Sequence, residues 1–235
     1  MKKYSRRNQK GNVNLIFDIG IGVVWTLFLI SLGLILAINL RPLYYANIHW
    51  FQLDKYSGLS INEIKSNYNA LIDYCSPFYY GALKFPTLRS SVSGISHFEE
   101  VKVLFQFFYI TFLISSIFLL GIITWKRKQN DYRFLKVSSI TAIILPIITL
   151  MGCSIDFDTT FVIFHKIFFR NDDWIFDPYT DPIIELLPEE YFLQCALIIV
   201  FVVLVGSLIL YLCYRHQRKK NQVTPLLKPK MNYYY

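Results

Sequence analysis

The stretch FDIGIGVVWTLFLISLGLILAINL, residues 17–40, decides the class of fold, because its only charged residue is Asp18. A helix of about 20 apolar residues crosses the roughly 30 Å hydrocarbon core of a bilayer. The preceding MKKYSRRNQK resembles the start of a secretion signal, but the apolar core is too long for one. No small-x-small cleavage site follows before Arg41-Pro42. We therefore expect an uncleaved membrane anchor.

Three further apolar runs have the length of a membrane span. The composition agrees, since 54% of the residues are hydrophobic and the mean hydropathy is +0.37. The sequence predicts an all-α membrane protein with four transmembrane helices and a small outer cap of short helices, with room for a few strands. The predicted segments are a basic tail at 1–16, spans at 17–40, 101–125, 134–155 and 191–214, outer segments at 41–100 and 156–190, an inner loop at 126–133 and a tail at 215–235.

Basic residues are distributed unevenly around these spans. The two tails and the loop between spans two and three carry sixteen Lys and Arg residues, against only Asp18 and Asp131 on that side. The segments 41–102 and 156–192 carry eight basic and fourteen acidic residues. Since cytoplasmic loops are enriched in Lys and Arg, both termini are predicted to face the cytoplasm and both larger loops the outside. The net charge of +8 is then a topology signal, with room for an anionic-lipid contact, and not evidence for nucleic-acid binding.

The first outer segment contains one clear helix signal. Ser60 and Glu63 form a capping box ahead of apolar residues at helical spacing, so a short amphipathic helix is predicted over 61–75. The stretch 76–95 fits either a strand pair or an irregular loop. The four cysteines form no C-x-x-C pair, which favours small packing residues over a disulfide framework.

Two outer histidines are the candidates for chemistry. In SGISHFEEVKVLF, Ser96 and Glu99 form a second capping box, which predicts Ser96 as the N-cap and His97 as the first residue of span two. The apolar run 159–169 carries His165 and is too short to span the membrane. It is predicted to be an interfacial helix or a continuation of span three. Both imidazoles are thus expected at the outer membrane face.

The residues alone leave three interpretations of this pair open. Imidazoles beside carboxylates in an aromatic pocket at the headgroup level suit acyl or ester chemistry on a lipid, because imidazole transfers protons near pH 7. They also suit helix ends that merely form hydrogen bonds at the interface. A metal site would need three or four ligands, and no close-spaced ligand pair supports one. The sequence has neither a G-x-S-x-G elbow nor a phosphate-binding loop, so no Ser or Cys nucleophile is indicated.

The segment FHKIFFRNDDWIFDPYTDPIIELLPEEYF, residues 164–192, resembles the signature of a bacterial membrane family, the lipoprotein intramolecular transacylases. The parts F-H-x-I-F-F-x-N-x-x-W, D-P-x-x-D and L-P-E all match in order and spacing. A second block, an N-Y pair followed by H-x-x-D-V-K, is matched by Asn67-Tyr68 and by HFEEVK, in which Glu100 replaces the expected Asp. The resemblance covers the chain apart from its tails.

The resemblance implies an enzyme that needs no cofactor and acts at the outer face of the bacterial cell membrane. It would move the sn-2 acyl chain of a lipoprotein's S-diacylglyceryl N-terminal cysteine onto the α-amine of that cysteine, giving the lyso-form lipoprotein. His97 and His165 are the expected catalytic residues, with His165 as the base and His97 as the oxyanion donor or acid. The other expected pocket residues, some of them holding turns, are Tyr68, Glu100, Phe168, Phe169, Asn171, Trp174, Asp177, Asp181 and Glu189.

Two alternatives remain open beside this interpretation. A phospholipid-dependent lipoprotein N-acyltransferase would take its acyl chain from a membrane lipid and release a lysophospholipid. A four-span envelope protein without enzymatic activity would use the cap to bind a partner and would tolerate substitution of both histidines. All three have membrane lipids as partners, and none involves nucleic acid.

Overall fold

The computed structural model describes residues 2–223, with side chains from 15 to 220, and within that range it contains eight α-helices and one 3₁₀ helix. The α-helices are α1 (Lys2–Asn39), α2 (Arg41–Trp50), α3 (Leu53–Ser57), α4 (Ile61–Cys75), α5 (Val92–Lys128), α6 (Arg133–Ile155), α7 (Phe157–Phe168) and α8 (Glu189–Val223), and the 3₁₀ helix is Pro182–Leu186. As predicted, four of them (α1, α5, α6 and α8) are long and apolar enough to cross a membrane. No strand forms in the described range, so 76–91 is an irregular segment.

The four long helices form one unit, in which α1 packs against α5, α6 and α8, and α6 also packs against α8. The approach of α1 to α8 depends on Gly33, because a Cβ atom there would lie 2.9 Å from the Cα of Ile199. Small residues at such crossings let helices approach closely in lipid. Ser207 of α8 donates a hydrogen bond to the carbonyl of Ser139, at 2.6 Å, which joins α8 directly to α6.

The short helices α2, α3 and α4 and the 3₁₀ helix form a cap at one end of this unit, around a core of buried aromatic and aliphatic side chains. The ring of Tyr44 stacks on that of Tyr68 with centroids 3.5 Å apart, and its hydroxyl donates to the carbonyl of Leu186 at 2.8 Å. The hydroxyls of Tyr68 and Tyr191 lie 2.7 Å apart, which ties the cap to α8. We call this end the cap end. The opposite end, where α1 begins and α8 ends, is called the tail end.

Two cap-end helices agree with their sequence signals. The capping box of α4 is present, since the Glu63 N–H donates to Ser60 Oγ at 3.3 Å and the Ser60 N–H donates to the Glu63 carboxylate at 2.9 Å. Helix α7 is separate from α6, because Asp156 between them has an extended backbone and accepts a hydrogen bond from the Thr159 N–H at 3.2 Å. Of the two predicted options for this run, the separate helix is therefore the observed one.

Candidate active site

Helices α5 and α7 bring the two outer histidines together at the cap end. The ring centroids of His97 and His165 lie 6.0 Å apart, with 34° between the ring planes. Both side chains are buried, since His97 is 5% exposed and His165 is 9% exposed. One substrate group placed between the rings can therefore contact both imidazoles.

Aromatic side chains enclose this pair. The ring centroid of His97 lies 4.7 Å from that of Phe169 and 5.5 Å from that of Phe176. His165 lies 4.2 Å from Phe161 by the same measure and stacks on Trp174 at 4.8 Å. Such an apolar enclosure strengthens electrostatic interactions inside it, because little water screens them.

The backbone fixes the proton on the His165 ring. Its Nδ1 lies 2.8 Å from the carbonyl oxygen of Phe161, one turn earlier on α7. A carbonyl can only accept, so Nδ1 carries the hydrogen and Nε2 of the neutral ring has the free lone pair. Burial lowers the pKa of His165, with the hydrogen bond to Phe161 acting in the opposite direction. The ring therefore presents a neutral, basic Nε2.

Two polar atoms near this pair are buried without a hydrogen-bond partner among the described residues. They are Nδ1 of His97 and Oε2 of Glu100, one turn apart on α5. Native proteins satisfy nearly all buried polar atoms, so such a group calls for an explanation. Both atoms are available to a ligand that brings a donor or an acceptor.

The second oxygen of Glu100 is held in place by the loop after α7. Asn171 donates from Nδ2 to Glu100 Oε1 at 2.8 Å, and Trp174 donates from Nε1 to the carbonyl of Asn171 at 3.1 Å. Since Trp174 also stacks on His165, one chain of contacts connects the α5 carboxylate to the α7 imidazole. Glu100 fits this position, where the resemblance leads us to expect Asp.

Other predicted pocket residues lie away from the two imidazoles. Tyr68 lies in the cap core, where burial raises its pKa to about 12 and keeps the phenol uncharged. Phe168 is 44% exposed and contacts Phe164 instead, with ring centroids 4.7 Å apart. Glu189 lies in the first turn of α8 beside Asp158.

Asp177 and Asp181, two of the expected pocket residues, accept hydrogen bonds from backbone N–H groups. Asp177 accepts from the Tyr179 N–H at 2.8 Å, within its own turn. Asp181 is 3% exposed and accepts from the Ser91 N–H at 2.7 Å, which joins the second outer loop to the start of α5. Asp181 is thus a positioning residue for the helix that carries His97.

The start of α5 differs from the prediction. Ser91 is the N-cap rather than Ser96, since the Gly94 N–H donates to Ser91 Oγ at 2.9 Å and the helix begins at Val92. The contact with Asp181 decides the choice, and Gly94 packs so tightly that a Cβ atom there would lie 2.2 Å from Asp181 Oδ1. His97 is therefore the sixth residue of α5, beyond the free N–H groups of the first turn.

The cysteine of the cap offers no thiolate to this site. All four are free, and burial raises the pKa of Cys75, the cap cysteine, to about 12. A thiol with such a pKa stays protonated at neutral pH and is a poor nucleophile. Proton transfer by imidazole is thus the chemistry that these side chains support.

Two members of the enclosure were not predicted as pocket residues. Phe161 lies four residues before His165, so the helical spacing of α7 could have identified it. Phe176 comes from an irregular loop and also contacts Phe98 of the cap core, at 5.4 Å between ring centroids. Nothing in the local sequence separates Phe176 from its aromatic neighbours, so only the tertiary structure reveals it.

Comparisons with known proteins point to one family. The family model described as lipoprotein intramolecular transacylase Lit matches residues 19–192. Among solved structures, the chain is similar to the membrane integral lipoprotein intramolecular transacylase Lit from Bacillus cereus. The identity is 34%, the TM-score is 0.86, and the match covers 91% of this chain and 99% of that one.

Two further structures of the Bacillus cereus protein, in which one histidine is replaced by arginine or by alanine, are also similar. The arginine form matches with 32% identity and a TM-score of 0.83, over 94% of this chain and 99% of that one. The alanine form matches with 32% identity and a TM-score of 0.82, over 93% of this chain and 99% of that one. A comparison with curated protein sequences found no match.

Proposed function

Since this chain belongs to the lipoprotein intramolecular transacylase family, we propose that His97 and His165 carry out the proton transfers of that reaction. Membership confirms the predicted family, the all-helical membrane fold and the acyltransferase activity. The observation that supports the assignment of the site is the pair of buried imidazoles, 6.0 Å apart in an aromatic enclosure at the cap end.

The reaction joins two groups of one substrate molecule. In the proposed reaction the α-amine of the lipidated cysteine attacks the sn-2 ester carbonyl, and the acyl chain passes from oxygen to nitrogen. Holding two groups in a reactive geometry replaces a bimolecular encounter by an effectively unimolecular step. The enclosure around the histidines provides such a confined volume. The reaction converts an ester into an amide within one molecule, so it requires no co-reactant.

His165 acts as the general base in this proposal. Its Nε2 has the free lone pair, because Nδ1 donates to the Phe161 carbonyl. The attacking amine nitrogen loses a proton to Nε2 while the C–N bond forms. The resulting imidazolium then returns the proton to the glyceryl oxygen as the C–O bond breaks.

His97 stabilises the tetrahedral oxyanion. Its buried Nδ1, unpartnered among the described residues, can donate to the negatively charged oxygen that forms on the ester carbonyl. Because His97 lies in the second turn of α5, the free backbone N–H groups of the first turn do not share this role. Oxyanion stabilisation therefore rests on the imidazole itself.

Glu100 receives the substrate amine. Its buried Oε2 can accept a hydrogen bond from the N–H of the neutral amine, while Asn171 holds Oε1 at 2.8 Å. A charge-assisted hydrogen bond of this kind would position the nitrogen next to the two rings. The same contact would remove an unsatisfied buried oxygen from the free enzyme.

The substrate reaches this site from the outer leaflet. The segments that build the cap end carry most of the acidic residues, whereas the tails and the inner loop carry most of the basic residues. That distribution supports an outer cap end in the bacterial cell membrane. It also supports a diacylglyceryl lipoprotein as substrate, since its lipid chains lie in the same leaflet as the histidines.

The test is tandem mass spectrometry of a lipoprotein's N-terminal lipopeptide, produced in cells that lack other N-acylation. Parent mass alone is uninformative, because the reaction is an isomerisation, so the fragment with an amide-linked acyl chain is measured. We expect this fragment with the intact enzyme and its loss with His97→Ala and with His165→Ala. His49→Ala is the matched control, because His49 is an exposed histidine of the cap and should be dispensable.

The other outcomes separate the alternatives. Retention of the fragment in both variants would remove the histidines from the mechanism. A parent ion that gains a third acyl chain would show a separate acyl donor and therefore a phospholipid-dependent reaction. Complete absence of the fragment with the intact protein would refute the activity in these cells.

A further inference from the structure

A cavity opens at the tail end, far from the histidines. It has a volume of about 440 Å³ and lies between α6 and α8. Its lining consists of four basic residues and two tyrosines, which are Lys136, Arg215, Arg218, Lys219, Tyr211 and Tyr214. A concave site with this lining suits a compact anionic group.

No acidic side chain among the described residues neutralises the positive charge in this cavity. None of the four basic residues forms an ion pair in the part of the chain that the structure describes, and no carboxylate is among the lining residues. The remaining segments, 1–14 and 221–235, contain no Asp or Glu. The cavity therefore keeps four cations without an acidic side chain to balance them.

Neighbouring basic residues at the same end behave differently. Lys126 and Arg133 contact the carboxylate of Asp18 at 3.0 and 2.6 Å, and Lys126 also contacts Asp131 at 2.6 Å. The topology of the protein requires only that the tail end be positively charged. It does not explain why some basic residues there are paired with carboxylates while four others line a cavity without such partners. The separation points to an external anion.

The position of the cavity matches a lipid headgroup. Along α8, Arg215 lies 26 residues after Glu189 at the cap end, which is about 39 Å at 1.5 Å per residue. That length exceeds the roughly 30 Å hydrocarbon core, so the cavity lies at the headgroup level opposite the cap. Tyr211 and Tyr214 are residues typical of that level.

The surface next to the cavity fits acyl chains. Ile140, one turn beyond Lys136 on α6, is 57% exposed, and Leu212 and Leu208, one and two turns before Arg215 on α8, are 54% and 55% exposed. These side chains continue from the basic cavity toward the middle of the bilayer. A phospholipid would fill both regions, whereas free phosphate would fill only the basic one.

We propose that this cavity binds the phosphate-bearing headgroup of an anionic phospholipid, with its acyl chains along α6 and α8. Arg and Lys side chains bind phosphate oxygens through charge-assisted hydrogen bonds, and the tyrosine hydroxyls add donors. The lipid would hold the tail ends of α6 and α8 together. The site is independent of the proposed roles of His97 and His165.

The test is thermal unfolding of the full-length protein in detergent micelles, with added phosphatidylglycerol or phosphatidylcholine. Binding to the folded state should raise the Tm with phosphatidylglycerol by about 2–4 °C more than with phosphatidylcholine. This difference should disappear in Arg215→Gln/Arg218→Gln. The matched control is Arg127→Gln/Lys128→Gln, which removes two exposed charges from the same end outside the cavity and should keep the full difference.

Several results would overturn the proposal. An equal loss of the Tm difference in both double variants would show diffuse charge attraction and no site. Glycerol phosphate or inorganic phosphate raising the Tm as much as phosphatidylglycerol would show a small-anion site instead of a lipid site. If the double variant does not accumulate, Lys136→Gln tests the α6 wall with one charge removed, and an unchanged difference there contradicts the site.

Discussion

The two ends of the membrane-spanning unit each contain a buried polar cluster, and the clusters differ in how their atoms are satisfied. At the tail end, both carboxylate oxygens of the fully buried Asp18 are paired, one with Lys126 and one with Arg133. At the cap end, Nδ1 of His97 and Oε2 of Glu100 are buried without a partner among the described residues.

This difference separates structural from chemical roles. Removing one partner of a buried ion pair lowers the stability of the fold strongly, because the charge of the other partner is then uncompensated. An unpaired buried polar group lowers stability in the free protein and is retained where a ligand can satisfy it. We therefore expect substitutions at the tail end to change stability and substitutions at the cap end to change activity.

His97→Phe should cause the largest loss of activity, without a loss of stability. Phenylalanine keeps the aromatic contacts with Phe169 and Phe176 but cannot donate to an oxyanion, so the rate should fall by about 10²–10⁴-fold. The Tm should stay constant or rise, because an unsatisfied buried group is removed. Lyso-form product and Tm measured on one preparation check this, and an active variant would disprove the role of His97.

Asp18→Asn should give the opposite result. It leaves Lys126 with Asp131 alone and Arg133, which is 43% exposed, without this partner, so the free energy of unfolding should fall by about 1–3 kcal/mol. Activity per folded molecule should be unchanged well below the Tm. The control is Asp73→Asn, because the ion pair of Asp73 with Arg41 is exposed and should contribute less than about 1 kcal/mol. Equal losses of stability would contradict the comparison.

Glu100→Gln sharpens the comparison within the cap end. Glutamine can still accept from Asn171, but it loses the carboxylate charge that strengthens the hydrogen bond from the amine N–H, so the rate should fall by about 10–100-fold. Glu100→Asp, which restores the residue of the family pattern, should retain more activity than Glu100→Gln. Both are compared by initial rates at equal folded concentration, and equal activity of wild type and Glu100→Gln would rule out charge recognition.

Gly94→Ala tests how the α5 helix is positioned. The added methyl group would overlap the Asp181 carboxylate, so the free energy of unfolding should fall by about 1–3 kcal/mol. Gly121→Ala is the control in the same helix, since a Cβ atom there has nothing within 4 Å and should be tolerated. The measurement is the Tm of the two variants. Similar values would show that Asp181 does not constrain the start of α5.

The contrast between two capping boxes shows how far sequence could predict the fold. The signal at Ser60 and Glu63 is local and correct, because both hydrogen bonds of this box join residues that are three apart in the sequence. The equally good signal at Ser96 is wrong, because Asp181, 85 residues later, accepts the Ser91 N–H and moves the helix start. The spans follow from length and hydropathy, whereas a cap between spans depends on contacts distant in sequence.

The candidate site shows the same division. Hydropathy and motif order were enough to predict that His97 and His165 lie at one membrane level. The choice between Phe168 and Phe169 was not predictable, because α7 ends at Phe168 and the extended backbone of Phe169 turns its ring toward His97. The hydrogen bond that fixes the His165 tautomer also depends on where α7 begins, which Asp156 sets.

The smallest predicted effect is on the pH dependence at His165. Burial lowers the pKa of His165 below its usual value of about 6.5, so the ring stays neutral at a pH where an exposed histidine is protonated. The attacking amine must also be unprotonated, and its usual pKa is about 8. The logarithm of the rate should therefore rise with a slope of about one from pH 6.5 to 7.5, and steepen toward two only below about pH 6.5.

Trp174→Ala should move that steep region to higher pH. Removing the stacked indole lets water reach the His165 ring, which reduces the desolvation that lowers its pKa. The control is Trp50→Ala, because Trp50 is 73% exposed on α2 and has no part in the enclosure. Initial rates measured from pH 5 to 8 give the pH at which the slope of the logarithm of the rate changes, whatever the absolute rate of the variant. If the steep region stays in place in Trp174→Ala, a group other than His165 accepts the proton, because the indole stacks directly on that ring.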